Sequence, residues 1–132
     1  MKRQDPPVTS RSWQAHVDSS PLFVQWSPSD KQHLLENACE LQLSPAQTLY
    51  TRGEVAKGLY LVIAGSLKVV IPTIDGDEAI LDVVGAGQWL GELGVIDRQP
   101  RQHSAIALEP VQCVCFDKLL IERVLQANPA LY

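Results

Sequence analysis

The stretch LYLVIAGSLKVVIPTIDGDEAILDVV, residues 59–84, decides the fold. It contains two apolar, β-branched runs at 59–63 and 66–71, with an alanine and a glycine between them, which is typical of two strands and a break. An Asp-Gly pair at 75–76 is a strong signal for a tight hairpin turn. The return strand is expected at 79–84. The stretch therefore predicts consecutive antiparallel strands.

Short extended segments flank this stretch on both sides. Before it, Leu41 and Leu43 alternate with a glutamine, and Leu49-Tyr50 begins another extended piece. After it, short strands are predicted at 88–90, 104–108 and 111–116. Many short strands separated by glycine turns are typical of an antiparallel sandwich or roll.

A helix is predicted at each end of the strand region. Ser27 can cap a helix that begins with Pro28 and ends near Glu40. Asp117 can cap a last helix, which Asn128-Pro129 ends. We therefore expect a mainly β fold, an antiparallel β-roll (a double-stranded β-helix or jelly roll) with short flanking helices.

The composition is that of one folded domain. The chain has 132 residues, of which 45% are hydrophobic and 20% charged, which excludes wholesale disorder. The net charge of −4 makes broad electrostatic binding to nucleic acid a poor expectation. The N-terminus lacks the apolar segment of a signal peptide, and no apolar run is long enough to span a membrane. A cytoplasmic protein without membrane contact is expected.

Residues 1–20 are predicted as a flexible N-terminal arm, and residues 21–132 as the β-roll domain. The arm is polar and contains a Pro-Pro pair. Trp13 and Val17 lie four residues apart, so they could form a helical turn that packs on the core. A frayed tail is the alternative interpretation.

Three segments together resemble the cyclic nucleotide-binding domain. GEVAKGLYLVIAGSL at 53–67 resembles the family signature G-E-x-x-x-x-L-Y-x-[IV]-x-x-G-x-[LV]. The Asp-Gly hairpin, followed by GAGQ at 85–88, is similar to the family's next hairpin and turn. GELG at 91–94 resembles the start of the phosphate-binding cassette, and Ser104-Ala105 resembles its end. The resemblance covers roughly residues 25–131.

Within that superfamily the chain is most similar to the N-terminal sensory domain of the CRP/FNR bacterial transcription regulators. The resemblance implies an effector-sensing domain that binds cyclic AMP, cyclic GMP or a related small anion. It implies relay of that signal to a DNA-binding domain outside this sequence, and a homodimer in the full-length protein. DNA would be contacted only through the missing domain. We expect part of a longer regulator, with a stand-alone module as the alternative.

The resemblance also implies the binding residues. The backbone amides at Gly91, Glu92 and Leu93 would face the cyclic phosphate. The Glu92 carboxylate would accept a hydrogen bond from the ribose 2′-OH. Ser104 and Ala105 would bind phosphate oxygens.

The cation that neutralises the phosphate is the point of departure from the family. The family usually places an arginine directly before the Ser/Thr-Ala pair, where this chain has His103. Either Arg101 reaches the phosphate from a shifted register, or His103 takes the cation position. A histidine is a weaker anchor than a bidentate arginine. We expect weaker cyclic nucleotide binding than in the arginine-bearing members.

Two other functions are open. The roll could be an interaction module with a vestigial pocket, or a haem-based gas sensor with His103 and Cys113 or Cys115 near the iron. Catalytic motifs are missing from the sequence, so no enzyme is expected. The histidines at 16, 33 and 103 are too scattered for a cupin-type metal site. Cys113 and Cys115 are interpreted as buried structural residues, and nothing in the sequence places Cys39 near them.

Overall fold

The computed structural model describes residues 2–4, 13–91 and 99–128. Within them the chain forms nine strands and three short helices. The strands are β1 Lys2–Gln4, β2 Cys39–Leu43, β3 Thr48–Tyr50, β4 Gly58–Ala64, β5 Leu67–Pro72, β6 Glu78–Val84, β7 Trp89–Leu90, β8 Ser104–Ala107 and β9 Val111–Asp117. The helices are α1 Gln14–Ser19, α2 Pro28–Glu36 and α3 Lys118–Ala127.

The strands form two antiparallel sheets. The five-stranded sheet has the order β1-β2-β9-β4-β7, and the four-stranded sheet has the order β3-β8-β5-β6. All of the recorded strand pairs are antiparallel. Their packing gives the predicted antiparallel β-roll with short flanking helices, so the predicted fold class is confirmed.

The hairpin of β5 and β6 follows the predicted turn. The Thr73 amide donates to the Asp77 carbonyl at 2.8 Å, and Gly76 has φ +85°, a conformation that glycine adopts at little cost. The register pairs Leu67 with Val84 and shifts between Val69 and Val70. This bulge bends the strand pair that forms one wall of the candidate site described below.

The space between the two sheets is filled by one cluster of buried side chains, which we call the inter-sheet core. It combines aliphatic residues with two tyrosines and Cys113, and the partly buried Cys115 packs against it. Its buried members are Leu41, Leu43, Leu49, Tyr50, Tyr60, Val62, Leu67, Val69, Val84, Leu90, Ala105, Ala107, Val111 and Cys113.

A second cluster, the helix-side core, lies where the helices pack on strands β4 and β9 of the five-stranded sheet. It is apolar and rich in aromatic rings. Its buried members are Trp13, Val17, Phe23, Trp26, Leu34, Leu35, Ala56, Leu59, Leu61, Val114, Phe116, Ile121, Val124 and Leu125. Strand β9 serves both cores because its successive side chains point to opposite faces.

Part of the predicted arm is packed on the protein. Trp13 and Val17 are buried in the helix-side core, and the Trp13 indole Nε1 donates to a Glu40 carboxylate oxygen at 2.9 Å. Of the two interpretations of this pair, the structure shows the helical turn, because α1 brings both side chains onto the same face. Residues 2–4 pair with β2 as strand β1. The domain boundary at residue 20 stays a prediction.

The two predicted helix caps are present, but one helix end is not where it was predicted. The Ser27 hydroxyl accepts from the Asp30 amide at 3.1 Å, and the Asp117 carboxylate accepts from the Leu119 amide at 3.0 Å. Helix α2 ends at Glu36, so its predicted end near Glu40 is wrong. Cross-strand pairing with β9 takes over from Cys39 onward. Within the described residues no helix is long and apolar enough to cross a membrane.

Candidate functional site

A cavity of about 240 Å³ opens beside the inter-sheet core. Strand β6 and the chain on either side of residues 92–98 form its walls, and those seven residues lie outside the described part of the structure. The lining combines apolar side chains with an arginine, a histidine and a carboxylate. The lining residues are Tyr50, Val69, Leu81, Asp82, Val84, Trp89, Leu90, Gly91, Pro100, Arg101, Gln102 and His103.

Arg101 is the most buried charged residue that lines this cavity, with 5% of its surface exposed. Its Nη1 donates to the Gly91 carbonyl at 2.8 Å, and its Nη2 donates to the Gly58 carbonyl at 2.7 Å. The guanidinium lies over the Tyr50 ring, with Cζ 4.3 Å from the ring centroid, and 5.7 Å from the centroid of Tyr60. Cation–π contact and charge-assisted hydrogen bonds therefore hold the group in place.

The predicted signature loop positions the backbone of Arg101. The Arg101 amide donates to the Glu54 carbonyl at 2.9 Å, and the Gly53 amide donates to the Arg101 carbonyl at 2.8 Å. Gly53 has φ +90°, which disfavours any residue with a Cβ. The glycine of the signature thus shapes a loop whose backbone anchors the arginine.

The positive charge of Arg101 has no carboxylate partner among the described residues. Buried charges in proteins are normally paired, since an uncompensated charge loses its hydration without an equivalent gain. Two carbonyl dipoles and an aromatic face offset part of this loss. Among the described residues, the Arg101 charge is thus held by carbonyl dipoles and an aromatic face.

His103 contributes a neutral ring to the same cavity. Burial lowers the pKa of His103 below its ordinary value of 6.5, and the neighbouring Arg101 charge lowers it further. Its Nδ1 is buried and has no hydrogen-bond partner among the described residues. The ring lies 6.2 Å from that of Tyr50, centroid to centroid. At neutral pH this histidine is a hydrogen-bonding group and not a cation.

The structure brings three of the predicted site residues to the cavity: Gly91, Arg101 and His103. Gly91 has φ +87°, and a Cβ built on it would collide with Arg101 Nη1, so a larger residue there would strain the backbone and displace the guanidinium. Predicted residues Glu92 and Leu93 lie outside the described residues.

Ser104 and Ala105 do not line the cavity with their side chains. The Ser104 hydroxyl oxygen accepts from the Arg52 amide at 2.9 Å, which leaves its proton available to another acceptor. The Ala105 methyl faces the inter-sheet core and is fully buried. Any contact of this pair with a ligand would therefore come from the Ser104 hydroxyl proton or the backbone.

Among the cavity residues that sequence reasoning missed, two bear on the chemistry of the site. Tyr50 supplies the aromatic face under Arg101, but its pattern predicted only the start of an extended segment. Asp82 brings a carboxylate to the cavity wall, and that carboxylate also accepts from the Val83 amide at 2.8 Å. The sequence signal that could have identified Asp82 is its position as a lone charged residue among the apolar residues of the return strand.

The three cysteines lie closer together than the sequence indicated. Cys39 is paired directly with Cys115 across β2 and β9, so the prediction that nothing places Cys39 nearby is wrong. Burial raises the pKa of Cys113 to about 12 and that of Cys115 to about 11. In the described part of the chain, no group of three or more His, Cys, Asp or Glu side chains could hold a metal ion.

The family model for the cyclic nucleotide-binding domain matches residues 40–128 of this chain. The chain belongs to the cyclic nucleotide-binding domain family. The matched range contains both sheets except β1 and part of β2, and it contains the whole cavity. The cyclic nucleotide-binding resemblance of the sequence is thereby confirmed.

Relatives of this cyclic nucleotide-binding domain include transcription regulators. It is 29% identical over 97 residues to a CRP-like cAMP-activated global transcriptional regulator of Mycobacterium tuberculosis, covering 74% of this chain and 43% of that protein. It is 38% identical over 96 residues to the cAMP-activated global transcriptional regulator CRP of Haemophilus influenzae, covering 69% and 42%. The chain thus spans less than half the length of these relatives.

A solved structure with the same fold is the sensor domain of the transcriptional regulator DNR from Pseudomonas aeruginosa. The two superpose with a TM-score of 0.80 at 30% sequence identity, covering 92% of this chain and 81% of that one. The superposed share of this chain is larger than the share that the family model matches. The chain is therefore similar to regulator sensor domains over nearly its whole length.

Proposed function

We propose that this domain senses a small anionic effector, a cyclic nucleotide such as cyclic AMP or cyclic GMP, in the cavity beside the inter-sheet core. The observation that carries the proposal is the buried Arg101, which lines the cavity without a carboxylate partner among the described residues. A cyclic phosphate supplies the missing negative charge. Of the two predicted cations, we assign the role to Arg101, because His103 is neutral.

The chemistry of binding follows from the groups at the cavity. Arg101 uses one N–H of each terminal nitrogen for the Gly91 and Gly58 carbonyls, so the other N–H groups can donate to phosphate oxygens. The neutral His103 ring can exchange a hydrogen bond with the ligand. From the family resemblance, Glu92 accepts from the ribose 2′-OH, and the Ser104 hydroxyl donates to the phosphate.

The effector signal would pass through the carbonyls that hold Arg101. Gly58 begins β4 and Gly91 follows β7. A ligand that binds the guanidinium and shifts its position would therefore change its hydrogen bonds to both strands. An effector shifts a protein between two states only through different affinities for them. By analogy with the cAMP-activated relatives, we propose relay to a DNA-binding domain outside this sequence, in a cytoplasmic homodimer.

Titration calorimetry with cyclic AMP and cyclic GMP tests the proposal, with 5′-AMP as a ligand that lacks the cyclic phosphate. We expect saturable binding of at least one cyclic nucleotide. Arg101→Gln should weaken it by about tenfold or more, because charge-assisted hydrogen bonds are lost. Arg123→Gln is the matched control, since Arg123 is exposed on helix α3, and it should bind like the wild type.

Two results would contradict this assignment. Tight binding that survives both Arg101→Gln and His103→Ala would show that neither residue is the anion-binding group. Absence of binding by either cyclic nucleotide, in wild-type protein whose circular dichroism shows a folded domain, would favour the interaction module with a vestigial pocket. Circular dichroism of each variant separates loss of binding from loss of fold.

A further inference from the structure

Cys39 and Cys115 form a directly opposed pair on neighbouring strands. They are Cα partners in the antiparallel register of β2 and β9, so both side chains lie on the same face of the sheet. Opposed residues in antiparallel sheets have Cα atoms about 4.5–5.5 Å apart. Disulfides span Cα separations of about 4.4–6.8 Å. The backbone register therefore suits a cross-strand disulfide.

The surroundings separate this pair from the third cysteine. Cys39 and Cys115 are both partly exposed residues. Cys113 lies two residues from Cys115 on the same strand, but it is paired with Leu41 and has 0% exposure. Two partly exposed cysteines and one buried cysteine thus share one sheet.

We propose that Cys39 and Cys115 are an oxidation site, at which hydrogen peroxide converts the two thiols into a reversible disulfide between β2 and β9. The site lies beside the ligand cavity. A Cβ on Gly58 would meet the Cys115 sulfur at 2.5 Å, so this sulfur packs directly against the residue whose carbonyl holds Arg101. The proposal goes beyond nucleotide binding and does not depend on it.

The reaction balances with one peroxide. The Cys39 sulfur attacks the O–O bond, becomes a sulfenic acid, and its thiol proton leaves with the departing hydroxide as water. The Cys115 sulfur then attacks the Cys39 sulfur and displaces hydroxide, which takes the Cys115 proton as a second water. Two thiols lose two electrons, and the peroxide gains them.

The order of attack follows from the environment of Cys115. Burial and, to a smaller extent, the neighbouring Cys39 raise its pKa to about 11, although a hydrogen bond with Tyr60 acts in the opposite direction. Cys115 is therefore protonated at neutral pH, when the thiolate is the reactive form. The first oxidation falls to Cys39, and Cys115 resolves it.

The test treats the folded protein with one equivalent of hydrogen peroxide, alkylates the remaining thiols and maps the tryptic peptides by mass spectrometry. We expect residues 32–52 to be linked to residues 102–118 with the loss of two hydrogens, and dithiothreitol to reverse the link. Cys113 and Cys115 share the second peptide, so Cys113→Ser assigns the bond. That variant should still form the link, and Cys39→Ser and Cys115→Ser should not.

Three outcomes would overturn the proposal. In one, both peptides stay fully alkylated after peroxide treatment of the wild type. In another, Cys39 proceeds to sulfinic acid or forms only disulfides between two chains. In the third, the link disappears in folded Cys113→Ser, which would show that the buried thiol is the partner. Where a variant fails to fold, fragment ions of the wild-type peptide 102–118 show which of its two cysteines is alkylated and which is linked to Cys39.

Discussion

The two cores of this molecule share one sheet but differ in chemistry. The helix-side core is apolar and aromatic, with the Phe116 ring 5.6 Å from Trp13 and 5.5 Å from Trp89, centroid to centroid. The inter-sheet core contains two stacked tyrosines and the Cys113 thiol, with Cys115 packed against it. The guanidinium of Arg101 lies against its Tyr50 ring. Polar groups cost free energy when buried without partners. We infer that the helix-side core serves stability and the inter-sheet core serves binding.

Phe116→Ala is expected to have the largest effect on stability. Phe116 is fully buried among aromatic rings, and loss of such a side chain costs about 3–5 kcal/mol. Its side chain does not line the cavity and contacts its lining through Trp89, so the folded fraction should bind cyclic nucleotide with little change in affinity. Urea unfolding with calorimetry on the same samples tests both. Weakened binding by fully folded variant protein would contradict the separation of the two cores.

Gly91→Ala should weaken cyclic nucleotide binding more selectively than Phe116→Ala. The new methyl group meets the Arg101 guanidinium, and the left-handed backbone adds strain of about 1–2 kcal/mol. Gly76→Ala is the matched control, because Gly76 has φ +85° and nothing lies within 4 Å of its Cβ position. Both variants should lose stability in urea, and only Gly91→Ala should lose cyclic nucleotide affinity. Equal affinities would contradict the role of Arg101.

The smallest expected effect is a dependence of stability on pH through His103. Because the pKa of His103 is lower in the folded protein than its ordinary value of 6.5, the unfolded chain binds a proton more readily. Well above pH 6.5 the His103 ring is neutral in both states and does not change the free energy of unfolding. As the pH falls below 6.5 toward the pKa of the folded state, the free energy of unfolding decreases. The difference should be small, since the ring is only partly buried and solvent screens its charge.

Urea midpoints between pH 8 and pH 5 measure this slope, and His103→Asn should reduce it. A bound phosphate would favour the protonated ring, so wild-type affinity for cyclic nucleotide should rise as pH falls below 6.5. Asp82 and Arg101 also line the cavity, and neither is altered in the variant. Identical slopes in the two proteins would show that His103 does not titrate in the proposed way.

Local patterns predicted most of the fold. The apolar runs and the alternation of apolar and polar residues predicted the strands, and the Asp-Gly pair predicted the hairpin. Ser27 and Asp117 gave the helix starts, because a cap is a short-range interaction. The end of helix α2 was wrong because its last turn gives way to pairing with β9, which lies more than seventy residues further along the chain.

The site was less predictable for the same reason. Arg101 stands in a polar segment, where an arginine is typical of a solvated loop. It is buried because Tyr50, Gly58 and Gly91 converge on it from three separate segments. The Cys39–Cys115 pair also depends on a long-range register. The family resemblance, which carries long-range information, named residues in this region.

The central claim is that Arg101 is the anion-binding group of the roll, and nuclear magnetic resonance of the arginine side chains tests it most directly. In protein labelled with ¹⁵N-arginine, the Nε–H signal of Arg101 can be assigned by its loss in Arg101→Lys. We predict that saturating cyclic nucleotide shifts this signal strongly and leaves that of exposed Arg123 unchanged. Binding confirmed by calorimetry, with the Arg101 signal unmoved, would contradict the claim.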